Sequence, residues 1–190
     1  MGFNAHRPHA VDASRVPALF GAESGIALRG VRALNLYTLG YEGLDVAAFI
    51  ACLKRAAVRQ VVDVRENPFS RKPGFSKKAL AGALLAEGIE YLHVVELGCP
   101  REIRDRYKRD RDWGRYEVAF REYLGGQGAA VASVARLAKE KSVCLVCFEA
   151  DFNKCHRTFV GEAAVGLGAP GLEHLAADVA GTDGQSRLFE

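Results

Sequence analysis

No stretch of the 190-residue chain approaches the roughly 20 apolar residues that a membrane-spanning helix needs. The opening residues Met1-Gly2-Phe3-Asn4-Ala5-His6-Arg7 lack the apolar centre of a secretory signal, and His6 stands where a myristoylation signal carries Ser or Thr. A membrane partner is therefore not expected. Cysteine occurs five times, an odd count, and Cys52 falls on the apolar face of a predicted helix, which speaks against the disulfide framework of a secreted domain and for a cytoplasmic location. Charge is nearly balanced: 26 Lys and Arg against 23 Asp and Glu leave a net +3, too little on its own to announce a nucleic-acid binder. Internal repeats are absent. The one glycine-rich run, Gly125-Gly126-Gln127-Gly128, sits between two predicted helices rather than after a strand, which excludes a dinucleotide-binding fingerprint.

A 49% hydrophobic composition is enough for one domain with a sizeable core. Residues 1–32 show no sustained period and read as a mobile arm; 33–168 read as a single α/β domain; 169–190 read as an extension with a weak helical pattern over 172–179 and a loose tail. Within the domain the patterning predicts strands over 34–39, 60–64, 90–96 and 143–148. Helices are predicted over 44–57, 76–87, 113–124, 129–139 and 154–165, with a charged connection at 101–111. Short apolar strands alternating with crossover helices imply a three-layer α/β sandwich with a mostly parallel sheet.

Polar residues gather at the carboxyl ends of those strands, the edge at which open α/β sheets bind ligands. Tyr41 and Glu42 follow the first strand, Asp63 and Arg65 end the second, Glu96 ends the third, and Cys147 and Glu149 end the fourth. Cys155, His156 and Arg157 then open the last helix, with Asn153 as the expected cap. Strand alternation points Cys144 and Cys147 to opposite faces, so Cys144-x-x-Cys147 cannot close on one metal ion; Cys144 and Cys52 read as core residues.

The motifs Thr38-Leu39-Gly40-Tyr41-Glu42-Gly43, Val62-Asp63-Val64-Arg65 with Pro68, Ser70-Arg71 and Phe75-Ser76, Glu96-Leu97-Gly98, Cys147-Phe148-Glu149 and Cys155-His156-Arg157 resemble the domain-of-unknown-function 488 family over about two thirds of the chain. The resemblance implies an α/β fold and supplies no activity.

The chemistry expected at the strand ends is thiol-based. Cys147 or Cys155 would be the reactive thiol, His156 the acid or base, and Glu149 or Asp63 the orienting group. Arg65, Arg71 and Arg157 would bind an anion. Cysteine phosphatases space Cys and Arg six apart; here Cys147 precedes Arg157 by ten and Cys155 by two, which excludes that class. No cofactor is expected, and zinc on Cys147, Cys155 and His156 is the alternative. The loop 65–78 interleaves Phe69 and Phe75 with cations in the manner of a nucleic-acid surface, whereas the alternating signs of 101–111 read as a solvated face. Near the end, Gln185, Leu188 and Phe189 resemble the short peptide by which bacterial repair proteins dock on the sliding clamp. The expected function is thus an enzyme acting on nucleic acid or a phosphate-bearing, nucleotide-like substrate. The alternatives are a clamp-recruited DNA-repair module without catalysis and a metal-dependent hydrolase or sensor.

Overall fold

The computed structural model describes residues 35–176. Among these, β1 (Leu36–Gly40) leads to α1 (Val46–Arg55), β2 (Gln60–Asp63), α2 (Lys77–Ala86) and β3 (Glu90–His93). Then come α3 (Arg101–Asp110), α4 (Trp113–Gly125), α5 (Gly128–Glu140), β4 (Val143–Cys147), α6 (His156–Gly166) and β5 (Leu172–His174). The strands pair in the order β3-β2-β4-β1-β5, every pairing parallel. Residues of α1 and α2 pack with one face of this sheet and residues of α4, α5 and α6 with the other, so the fold is a three-layer α/β sandwich.

Alternation along β4 fixes which residues serve which layer. Val143 and Leu145 join the core beneath α4–α6, while Cys144 and Val146 join the core beneath α1 and α2. Local signals start the helices where they begin: the Asp45 carboxylate accepts from the Ala48 amide at 2.8 Å and caps α1, which then buries Phe49 and Leu53. Each such side chain contributes about 1.5–3 kcal/mol by leaving water. Register aligns the carboxyl ends, with Gly40 opposite Cys147 and Asp63 opposite Val146. From these ends β1 leads into α1 on one face and its neighbour β4 leads into α6 on the other. A crevice opens where neighbouring strands diverge in this way.

Four expectations differ from the structure. Residues 172–179 carry no helix at their start: Leu172–His174 form β5 beside β1, a strand too short to display alternation in sequence. The segment expected as a charged connection is α3, whose partly buried Ile103 and Tyr107, four residues apart, pack on the core while Glu102, Arg106 and Arg109 face water. The third strand stops at His93, and a single 3₁₀ turn over Val95–Leu97 turns Glu96 away. The last core helix starts later than expected: Asp151 caps a 3₁₀ turn over Phe152–Lys154, and α6 begins at His156 with Cys155 as its N-cap. Among the described residues no helix is long and apolar enough to cross a membrane.

Candidate active site

At the crevice lies a cavity of about 590 Å³, within the usual range for small-molecule sites. Its floor holds Cys147 at the end of β4, Glu149 in the loop that follows, Cys155 at the cap of α6 and His156 in its first turn. Both sulfurs approach one carboxylate oxygen: Cys147 Sγ lies 3.1 Å and Cys155 Sγ 3.3 Å from Glu149 Oε2. His156 Nδ1 faces the same point, 3.8 Å from Cys147 Sγ and 4.0 Å from Cys155 Sγ. The other ring nitrogen, Nε2, donates to the Val64 carbonyl at 2.8 Å, which fixes the ring's orientation from β2.

The four groups titrate against one another. Burial opposes the Cys155 thiolate, yet hydrogen bonds from Cys147 and His156 and the charge of Arg157 hold Cys155 well below the ordinary thiol value. Cys147 is driven the other way, first by its hydrogen bond to Cys155 and then by burial, and keeps its proton. Burial disfavours a charged His156, but Cys155 and the Val64 carbonyl outweigh it and raise the imidazole. Glu149 is raised by burial and then by the neighbouring Cys155. By contrast Cys99, at the cavity's edge, is an ordinary buried thiol pushed up to about 12 by desolvation. All five cysteines are unpaired, and Cys52 and Cys144 are core residues.

The walls are cationic and aromatic. Arg71, Lys72, Arg104, Lys108, Arg111 and Lys154 line the cavity together with Phe69, Tyr107, Trp113 and Phe148. Arg104 is paired with Glu66 and Lys108 with Asp105. No carboxylate partner is found among the described residues for Arg71, Lys72, Arg111 or Lys154. Lys154 Nζ sits 5.1 Å from the centre of the Trp113 ring, and Phe69 is 75% exposed at the rim.

Other residues expected at the site are placed in supporting roles. Asp63, 0% exposed, does not line the cavity; its carboxylate takes two bonds from the Arg65 guanidinium, at 2.8 and 2.5 Å, and one from the Tyr91 hydroxyl at 2.6 Å. Arg65 lines the cavity, but its Nη1 is also spent, on the Tyr41 hydroxyl and the Phe75 carbonyl, both at 2.8 Å, so it braces the 65–75 loop rather than offering a free fork to an anion. Tyr41, stacked on Phe75, is both a cavity wall and part of that brace. Arg157 is 1% exposed and outside the lining, donating to the carbonyls of Glu149 at 2.5 Å and Ala150 at 3.1 Å; those bonds commit it to shaping the loop. Glu42 is exposed and accepts from the Ala150 amide at 3.0 Å, again holding the loop. Glu96 lies apart, on a separate hollow beside Ser133, because the strand that was to deliver it ends early. Gln185, Leu188 and Phe189 lie outside the described residues, as does the 1–32 arm.

Two motif glycines are explained by close approach. A Cβ on Gly40 would meet the Glu149 carbonyl oxygen at 1.7 Å, and one on Gly98 would meet the Glu66 amide nitrogen at 2.2 Å. Both let neighbouring backbone settle against the strand ends that frame the cavity.

Arg104, Tyr107, Lys108 and Arg111 line the cavity although the sequence of 101–111 reads as a solvated face, and Trp113 and Lys154 were not singled out from sequence. The signal available was the four-residue spacing of Ile103 and Tyr107, which turns the charge run into an amphipathic helix. A family model, domain of unknown function DUF488, matches residues 45–164. No curated protein and no solved structure matches the chain.

Proposed function

The chain belongs to the DUF488 family, whose description assigns no activity, and from the cavity itself we propose an enzyme acting on a phosphate-bearing, nucleotide-like substrate, free or at the end of a nucleic-acid strand. One observation carries the reading: the cavity combines four cations without carboxylate partners among the described residues, exposed aromatic faces and a reactive floor of Cys147, Glu149, Cys155 and His156. Cations suit phosphate, aromatic faces suit a base, and the floor supplies groups that hold or move a proton. Arg71 and Arg111 are the anion-binding residues in this reading, with Phe69 and Trp113 as stacking surfaces. Five unpaired thiols fit a reducing, cytoplasmic compartment. The clamp-like peptide at 185–189 would add recruitment to DNA without altering what the cavity does.

The chain's single tryptophan, Trp113, lines the cavity, so intrinsic fluorescence reports occupancy. Titration with nucleoside monophosphates and short single-stranded oligonucleotides is expected to quench it, with affinity falling as salt rises. Arg71→Ala and Arg111→Ala are each expected to weaken binding about tenfold, the loss for one charged hydrogen bond. Cys155→Ala should keep binding while abolishing turnover of any substrate found. Quenching indifferent to both arginine variants would sink the reading.

A further inference from the structure

The four floor groups also satisfy a chemistry that the proposed function does not require. Cys147 Sγ, Cys155 Sγ and His156 Nδ1 all lie within 4.8 Å of one another, and all three residues are buried. Tetrahedral zinc, with bonds of about 2.3 Å to sulfur and about 2.0–2.1 Å to nitrogen, places sulfur and nitrogen ligands about 3.6 Å apart. The observed separations of 3.8 and 4.0 Å match those edges within a few tenths of an ångström. Glu149 Oε2 stands 3.1 and 3.3 Å from the two sulfurs, against about 3.5 Å for a sulfur–oxygen edge of the same tetrahedron.

Two further features suit a cation. His156 Nε2 carries its proton to the Val64 carbonyl, so Nδ1 is the nitrogen turned toward the sulfurs. Metal-binding histidines are oriented by this kind of outer bond. Arg157, next in sequence, is buried with only backbone carbonyls and the Thr38 hydroxyl as partners among the described residues. A buried guanidinium is stabilised by negative charge nearby, which a centre of two metal-bound thiolates supplies.

We propose that Cys147, Cys155 and His156 bind a divalent, thiol-seeking cation of the zinc class, with Glu149 at the fourth position. The cation takes the place of the protons now held among these groups, and the cysteine protons leave to solvent as the sulfur–metal bonds form. Two soft sulfurs with one imidazole select this class over magnesium or calcium, which take oxygen ligands. All four residues line the cavity, so a ligand entering it can replace Glu149 at the fourth position; the metal site rests on the proposed function only for what that ligand would be.

The test uses the full chain, stripped with a chelator and titrated with cobalt(II) alone. One equivalent is expected to produce thiolate-to-cobalt charge transfer in the near ultraviolet and the intense visible bands of four-coordination. Cys147→Ser and Cys155→Ser should each lower affinity at least a hundredfold, while Cys144→Ala should leave the spectrum unchanged. Glu149→Gln should retain cobalt with shifted visible bands. Circular dichroism on every variant separates a lost site from a lost fold, and native mass spectrometry of the wild type counts bound zinc independently. The absence of thiolate charge transfer in folded wild type overturns the proposal, as does a band that survives both serine variants. Oxidation of Cys147 and Cys155 to a disulfide in place of metal uptake, after full reduction, also overturns it. Cobalt binding without nucleotide binding would remove the substrate reading alone; nucleotide binding to a protein that takes no cobalt would remove the metal alone.

Discussion

Asp63→Ala is expected to lower the unfolding free energy by about 3–5 kcal/mol, measured by urea denaturation, because it leaves the Arg65 guanidinium buried without its anion. The pair is deep: side-chain exposure is 6% for Arg65 and 0% for Asp63, and the contact is bidentate. Loss of the carboxylate also strands the Tyr91 hydroxyl, whose ionisation burial and Asp63 together suppress. The effect reaches the cavity through Arg65, whose other bonds hold Tyr41 and the Phe75 carbonyl. Nucleotide binding should therefore fall along with stability. Pairing Asp63→Ala with Arg65→Met should cost less than the sum of the two single changes, since both charges are then removed. A single-variant loss under about 1 kcal/mol would show that the ion pair does not brace this edge.

Gly40→Ala is expected to cost about 3 kcal/mol or more, at the upper end for overpacking, because the new methyl meets main chain rather than a side chain able to rotate away. The atom it strikes, the Glu149 carbonyl oxygen, is the one that Arg157 holds at 2.5 Å. Relief requires the loop after β4 to move, and Glu149 moves with it. The same substitution should therefore reduce cobalt affinity or spoil the four-coordinate spectrum even where the protein stays folded. Gly43→Ala is the control: its φ of +79° imposes a left-handed strain of about 1–2 kcal/mol, but nothing lies within 4 Å of the added methyl. A cobalt spectrum unchanged in folded Gly40→Ala would separate the loop from the site.

The sheet was legible because strand and helix periods differ, and the parity of β4 sorts Cys144 from Cys147 in the sequence itself. The gathering of Cys147, Glu149, Cys155 and His156 could be read from the turn between a buried strand and an amphipathic run. What sequence could not reveal is how donors are spent. Arg65 and Arg157 have the side chains of anion binders, but Arg157 gives its reach to backbone carbonyls and Arg65 to Asp63, Tyr41 and the Phe75 carbonyl. Backbone acceptors leave no mark in composition. The cationic wall was hidden for the opposite reason: α3 carries so many charges that its apolar stripe of Ile103 and Tyr107 was masked.

The most direct measurement is a crystal structure of the protein soaked with a nucleoside monophosphate. The account predicts the phosphate within hydrogen-bond reach of Arg71 or Arg111, the base against Trp113 or Phe69, and the sugar or phosphate turned toward Glu149 and Cys155. A nucleotide bound elsewhere, or a cavity holding only water at saturating ligand, would contradict it.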